Sequence, residues 1–143
     1  MNLMIVEDEP RLRHNLAADI PWEEHGVEVV GLAASAEEAL EQFDRKKPDI
    51  ILLDLQMAGM SGLEFARHIQ DKSQLVKMII LSGHDNFEFA QKAMELGISK
   101  YLLKPAGNPE ILNAVLQASN ELRKSTGIAE LLRDDDLRNP FKP

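Results

Sequence analysis

Pro48-Asp49-Ile50-Ile51-Leu52-Leu53-Asp54-Leu55-Gln56-Met57 carries four uninterrupted aliphatic residues, Ile50 to Leu53, straight into an acid. An apolar run without polar alternation reads as a strand buried on both faces, the kind that a parallel sheet supplies. A carboxylate at the end of such a strand is costly as a purely structural group. The C-terminal end of a central parallel strand is also where open α/β sheets gather their ligands. Asp54 is therefore a candidate site residue, and the ends of the other strands are where its partners are expected.

On the N-terminal side, Leu3-Met4-Ile5-Val6 forms a short strand ending in Glu7-Asp8-Glu9. Pro10 suits a first helical position, and Leu12, Leu16 and Ile20 recur at helical spacing until Pro21. Val27 to Ala33 is a second strand. Ser35 with Glu38, and Ser61 with Glu64, are capping-box pairs. They open helices whose apolar faces are Ala39, Leu40, Phe43 and Leu63, Ala66, Ile69. On the C-terminal side, Met78 to Leu81 is a fourth strand ending at Ser82-Gly83-His84. Asp85 and Glu88 suit the start of a helix closed by Gly97. Tyr101-Leu102-Leu103 is a fifth strand before Lys104-Pro105, and Asn108-Pro109 begins a long helix with Ile111, Leu112, Val115, Leu116 and Leu122 inward. Strands alternating with helices predict a mostly parallel sheet covered on both faces. After Gly127 the pattern weakens. Ile128 to Leu137 fits one more helix, and residues 139–143 read as frayed. The expected division is a domain over 1–125 and a linker or tail over 126–143, helical at first and then disordered.

The 143 residues suit one hydrophobic core. Net charge is −8, which opposes binding of a polyanion by this chain alone. There is no cysteine, hence no disulfide framework, thiolate metal site or thiol nucleophile. The aliphatic runs fall far short of a membrane span. No basic region precedes the apolar start, which speaks against a signal peptide and points to the cytoplasm.

The strand ends supply Glu7, Asp8, Asp54, Ser82 and Lys104. In a parallel sheet these ends share one edge. Carboxylates about 4 Å apart repel by roughly 4 kcal/mol per pair at a surface-type dielectric. Either a proton stays on one of them or a hard cation sits among them. Oxygen ligands without His or Cys favour Mg²⁺. With one lysine and one hydroxyl added, the set suits the oxygens of a transferred phosphoryl group, and Asp54 becomes a nucleophile able to form an aspartyl-phosphate.

Glu7-Asp8, Asp54, Ser82, Tyr101 and Lys104-Pro105 together resemble the receiver domain of two-component response regulators, over roughly residues 1–122. The resemblance implies a flavodoxin-like, doubly wound, five-stranded parallel sheet of order 2-1-3-4-5. It implies that Asp54 accepts phosphate from a sensor histidine kinase. Glu7, Asp8, Asp54 and the backbone carbonyl of Gln56 would surround Mg²⁺. Lys104 would pair with phosphoryl oxygens, the Lys104-Pro105 peptide would be cis, Ser82 would move onto the phosphate, and Tyr101 would turn inward as a switch. Trp22-Glu23-Glu24-His25-Gly26 and the stretch Ser82 to Ala90 are similar to receivers of AraC-type transcription regulators. One departure is Ala58, where the family usually has proline. It implies a more mobile loop over 58–62.

Plainer readings stand beside these. Glu7 and Asp8 also suit a helix N-terminus by its dipole. Ser82 also suits a strand-end hydroxyl, and Tyr101 an ordinary half-buried tyrosine. The histidines show no metal-site spacing, and Asp134-Asp135-Asp136 reads as a solvated stretch. The expected function is a phosphorylation switch whose only chemistry is self-phosphorylation and autodephosphorylation. It would signal through the surface made by residues 86–96, 101–103 and 109–125, which the resemblance implies forms a homodimer on phosphorylation. DNA would be met only through an effector domain outside this chain. The alternative is a Mg²⁺-dependent phosphohydrolase with an Asp nucleophile. Such enzymes carry a second acid two residues on, where Gln56 stands. A flavodoxin-type flavin carrier ranks last, because Glu7-Asp8-Glu9-Pro10 would repel its phosphate.

Overall fold

The computed structural model describes residues 1–55, 60–73, 75–83 and 87–137, with side chains up to residue 125 except those of Phe87 and Phe89. Its strands are β1 (Asn2–Val6), β2 (Glu28–Ala33), β3 (Ile50–Asp54), β4 (Lys77–Ser82) and β5 (Lys100–Leu103). They form one parallel sheet of order β2-β1-β3-β4-β5, as expected. The helices are α1 (Pro10–Ala18), α2 (Ala36–Lys46), α3 (Gly62–Lys72), α4 (Phe87–Glu95) and α5 (Asn108–Leu137).

Strand alternation divides the core into two layers. Leu3, Ile5, Ile50, Leu52, Ile79, Leu81 and Leu102 pack with Leu16 of α1 and with Ile111, Val115 and Ala118 of α5. Met4, Val6, Ile51, Leu53, Met78 and Ile80 face the other way, onto Ala39, Phe43, Phe65, Ala66, Ile69 and Ala93 of α2, α3 and α4. Every residue of β3 is buried, which is why that strand reads as a continuous apolar run. It lies at the centre, and its last residue is Asp54.

The helix starts follow local chemistry. Ser35 Oγ accepts from the Glu38 amide at 3.1 Å, while Glu38 reaches back to the Ala34 amide at 3.0 Å. Ser61 Oγ accepts from the Glu64 amide at 3.1 Å. At α1 the cap is Glu9, whose carboxylate accepts from the Arg11 and Leu12 amides, while Glu7 Oε2 accepts from the amide of Glu9 itself at 3.3 Å. Gly97 closes α4 at φ +81°. Its amide donates to Met94 O, and that of Ile98 to Ala93 O, the paired bonds of a Schellman turn.

Three features depart from the sequence reading. Helix α1 ends at Ala18, and Ile20 is buried beyond it. Trp22 is core: its ring is buried and its Nε1 donates to Leu16 O at 2.8 Å, ahead of a 3₁₀ turn over Glu23–His25. Finally, α5 is one helix of 30 residues, passing residue 125 and Gly127 without a break.

Candidate functional site

Four chain segments meet at the C-terminal edge of the sheet. β1 delivers Glu7, β3 Asp54, β4 Ser82 and β5 Lys104. Backbone bonds fix their spacing. The Glu7 amide donates to Ala33 O, that of Leu55 to Leu81 O, and that of Lys104 to Ser82 O at 2.7 Å. Arg13 of α1 reaches back with Nη1 to the carbonyl of Glu7 at 2.8 Å. The Lys104–Pro105 peptide is cis, as the resemblance implied.

Lys104 Nζ donates to Asp54 Oδ2 at 2.8 Å and lies 3.7 Å from Glu7 Oε1. Glu7, Asp8 and Asp54 each present a carboxylate oxygen within 4.8 Å of the others. At that separation each ionised pair repels by about 3 kcal/mol at a surface-type dielectric. Glu7 is 1% exposed and Asp54 4%, whereas Asp8 opens to solvent. Burial raises Glu7 from 4.5 to about 7, and a proton shared with Asp54, the Asp54 charge and Asp8 act the same way, against the Glu9 amide. For Lys104, burial disfavours the ammonium, but the bond to Asp54 and the charges of Asp54 and Glu7 outweigh it and hold the pKa above its ordinary value. Three acids with one lysine leave the site short of positive charge.

The residues fit a hard cation. Glu7 Oε1 is buried with no hydrogen-bond donor among the described residues, and the donor set is all carboxylate oxygen. These are the ligands that Mg²⁺ takes while keeping positions for water and phosphate. The expected fourth ligand, the Gln56 carbonyl, lies outside the described residues, as do Ala58, His84 and Asp85.

Ser82 is wholly buried at the end of β4. Tyr101 is half-buried and packs against the core layer shared with α2, α3 and α4. Ile80 pairs with Tyr101 and Ser82 with Leu103, so alternation puts Ser82 and Tyr101 on one face of neighbouring strands. Sequence reasoning missed Glu9, Arg13 and a link between Glu37 Oε1 and the Met60 amide at 2.8 Å. An acid just before Pro10 was a readable cap signal. The other two join residues distant in the chain and left no local mark.

Residues 3–116 match the family model described as the response regulator receiver domain. The chain is 34% identical to YesN, an uncharacterized transcriptional regulatory protein of Bacillus subtilis, over 85% of this chain and 33% of the relative. It is 37% identical to a positive alginate biosynthesis regulatory protein of Pseudomonas aeruginosa, over 86% and 49%. Thus it spans between a third and about half of the length of these curated relatives. Among solved structures, the receiver domain of AraT, a response regulator from Geobacillus stearothermophilus, superposes with a TM-score of 0.79 at 33% identity, covering 87% of this chain and 97% of that one. The response regulator domain of Thermotoga maritima CheB gives 0.74 at 27%, covering 84% and 96%.

Proposed function

The chain belongs to the response regulator receiver domain family, and on that footing we propose that Asp54 is its phosphoacceptor. The observation that carries this is the Lys104–Asp54 contact at 2.8 Å inside a cluster of three carboxylates at the sheet edge.

The donor is a sensor kinase's phosphohistidine. An Asp54 carboxylate oxygen attacks phosphorus, the new O–P bond forms, and the P–N bond to the departing imidazole breaks. Lys104 passes from the carboxylate to a phosphoryl oxygen, where its charge is of most use as negative charge spreads over the group. Arg13, bonded to the Glu7 carbonyl, keeps the first strand end in place. Glu7, Asp8 and Asp54, with the carbonyl expected of Gln56, would hold Mg²⁺, and the ion would supply neutralisation of the carboxylates and phosphoryl oxygens. The Ser82 hydroxyl turns onto the phosphoryl group, and Tyr101 moves into the space it leaves. Their shared face supports this coupling.

The product is a switch and not a turnover enzyme; self-phosphorylation and autodephosphorylation are its whole chemistry. Phosphorylation shifts an existing equilibrium at the α4–β5–α5 surface toward a homodimer. Met94 and Leu103 are exposed apolar residues there, 56% and 44% accessible. Helix α5 carries the signal onward, with the boundary between receiver and connecting segment at residue 125, inside a continuous helix. In the longer protein an effector domain of AraC type meets DNA, a reading supported by the Trp22–Gly26 motif and by the transcriptional roles in the relatives' names. Among the described residues no helix is long and apolar enough to cross a membrane, and we place the protein in the cytoplasm with its kinase partner.

The test is incubation with Mg²⁺ and a small acyl phosphate, followed by intact mass, for wild type and Asp54→Asn. A phosphoryl-sized gain is expected in the wild type alone. Gain in both, or in neither, overturns the assignment. Turnover of unrelated phosphate esters would instead favour the phosphohydrolase reading.

A further inference from the structure

Between β1 and α1 the chain runs through Glu7, Asp8 and Glu9, and Arg13 holds the carbonyls on both sides of Asp8. Its side chain donates from Nη1 to Glu7 O at 2.8 Å, and its own amide donates to Glu9 O at 2.9 Å. Two more bonds close on the same residues. The Glu7 amide donates to Ala33 O at 3.0 Å, and Glu7 Oε2 accepts from the Glu9 amide at 3.3 Å. Glu7 is buried and Asp8 exposed, so the place of the Asp8 carboxylate follows from the backbone on either side rather than from packing. Both acids belong to the cluster with Asp54. Arg13 is half-buried and makes no ion pair with either acid among the described residues. It acts on their backbone.

We propose that Arg13 is a positioning residue for the cation site and sets its preference for a small divalent ion: by holding both carbonyls that flank Asp8, it keeps the Glu7 and Asp8 carboxylates in place for Mg²⁺ in preference to Ca²⁺. This rests on the reading of the carboxylate cluster as a divalent-cation site. The two ions differ in what they require. Mg²⁺ demands near-octahedral geometry at short metal–oxygen distances, whereas Ca²⁺ takes more oxygens at longer distances in flexible arrangements. A turn free to drift therefore weakens Mg²⁺ more than Ca²⁺, because ordering the ligands then opposes binding. The charge of Arg13 works the other way. A guanidinium near the site repels an incoming divalent ion, and it repels both ions alike because they carry the same charge. Loss of the side chain thus has two effects of opposite sign, and only the positional one changes the ratio of the two affinities.

Calorimetry with Mg²⁺ and with Ca²⁺, without phosphodonor, tests this on the full chain as wild type, Arg13→Met and Arg13→Lys. Arg13→Met keeps an aliphatic stem and removes the donors. Its Mg²⁺ dissociation constant is expected to rise about tenfold, the lower range for loss of a group that supports a ligand, while its Ca²⁺ constant stays within about threefold. Arg13→Lys keeps a donor, which suffices for one hydrogen bond to one carbonyl where the planar fork is not used, and returns the ratio to within about threefold of wild type. Hydrogen exchange at the Glu9 amide should quicken in Arg13→Met. The Leu55 amide, bonded to Leu81 O, should stay protected as the mark of an intact sheet. Should that protection be lost, Arg13→Gln, polar and shorter, takes the place of the Met variant and is expected to shift the ratio in the same direction. An unchanged ratio of Mg²⁺ to Ca²⁺ affinity, or unchanged exchange at the Glu9 amide, overturns the proposal. So does an Arg13→Lys ratio as low as that of Arg13→Met. A wild type that binds neither ion overturns the cation reading and this proposal together. One that binds Mg²⁺ but gains no phosphoryl group removes the phosphoacceptor assignment alone, and the affinity ratios still decide the role of Arg13.

Discussion

Lys104 Nζ stands 2.8 Å from Asp54 Oδ2, spanning the last residue of the central strand and the first residue after the outermost one. A lysine partly shielded beside two buried acids is a preorganised positive charge aimed where an oxyanion will develop. Lys104→Ala is therefore expected to slow phosphoryl gain from a small acyl phosphate by about 10²–10³-fold, the range for loss of one preorganised donor. Intact-mass time courses measure it. Lys104→Arg should recover little, because a planar fork does not reproduce a point charge in that space.

Glu7 makes stability depend on pH. In the unfolded chain it ionises near 4.5, and in the fold near 7. Between these values the unfolded chain gives up the proton first, so stability is complete below about 4.5 and falls as pH rises through about 7. The full loss is on the order of 3 kcal/mol. Urea midpoints without divalent cations should drop from pH 5 to pH 8, and Glu7→Gln should flatten the slope.

Magnesium should reverse that loss. A cation bound by the folded form alone stabilises it by mass action, and it competes with the proton on Glu7. At pH 8, millimolar Mg²⁺ is expected to raise the wild-type urea midpoint. The rise should be smaller at pH 5 and smaller still in Asp54→Asn.

Trp22→Phe keeps the buried ring and removes the donor to Leu16 O. The cost should be about 1–3 kcal/mol, the penalty of an unsatisfied buried carbonyl. Chemical denaturation reads it, and phosphorylation by acyl phosphate should proceed as in wild type.

A phosphoryl mimic should double the mass seen by light scattering, through the α4–β5–α5 surface. Leu103→Asp, at an exposed β5 position, should keep the protein monomeric without slowing phosphoryl gain. An unchanged mass for the wild type removes the dimer from the mechanism.

The apolar runs of β1, β3 and β4, the two Ser–Glu capping pairs and Gly97 were legible because each works through residues within five positions of one another. Helix α1 was read too long, since Ile20 kept the helical period while leaving the helix to fill the core. Trp22 was read as a family mark, though its ring is core, because a lone aromatic between Pro21 and Glu23 has no period to betray burial.

What the sequence by itself determined is the alternation of strands and helices and the identity of the groups at the strand ends. Local propensity and hydrophobic period act over a few residues, and that range suffices for both. Only the tertiary structure decided that Glu7 Oε1 is buried without a donor among the described residues, that Lys104 engages Asp54 more closely than Glu7, and that Glu37 holds the Met60 amide. Those facts arise where segments far apart in the chain are brought to one edge by sheet pairing. Distances and desolvation there belong to no single segment.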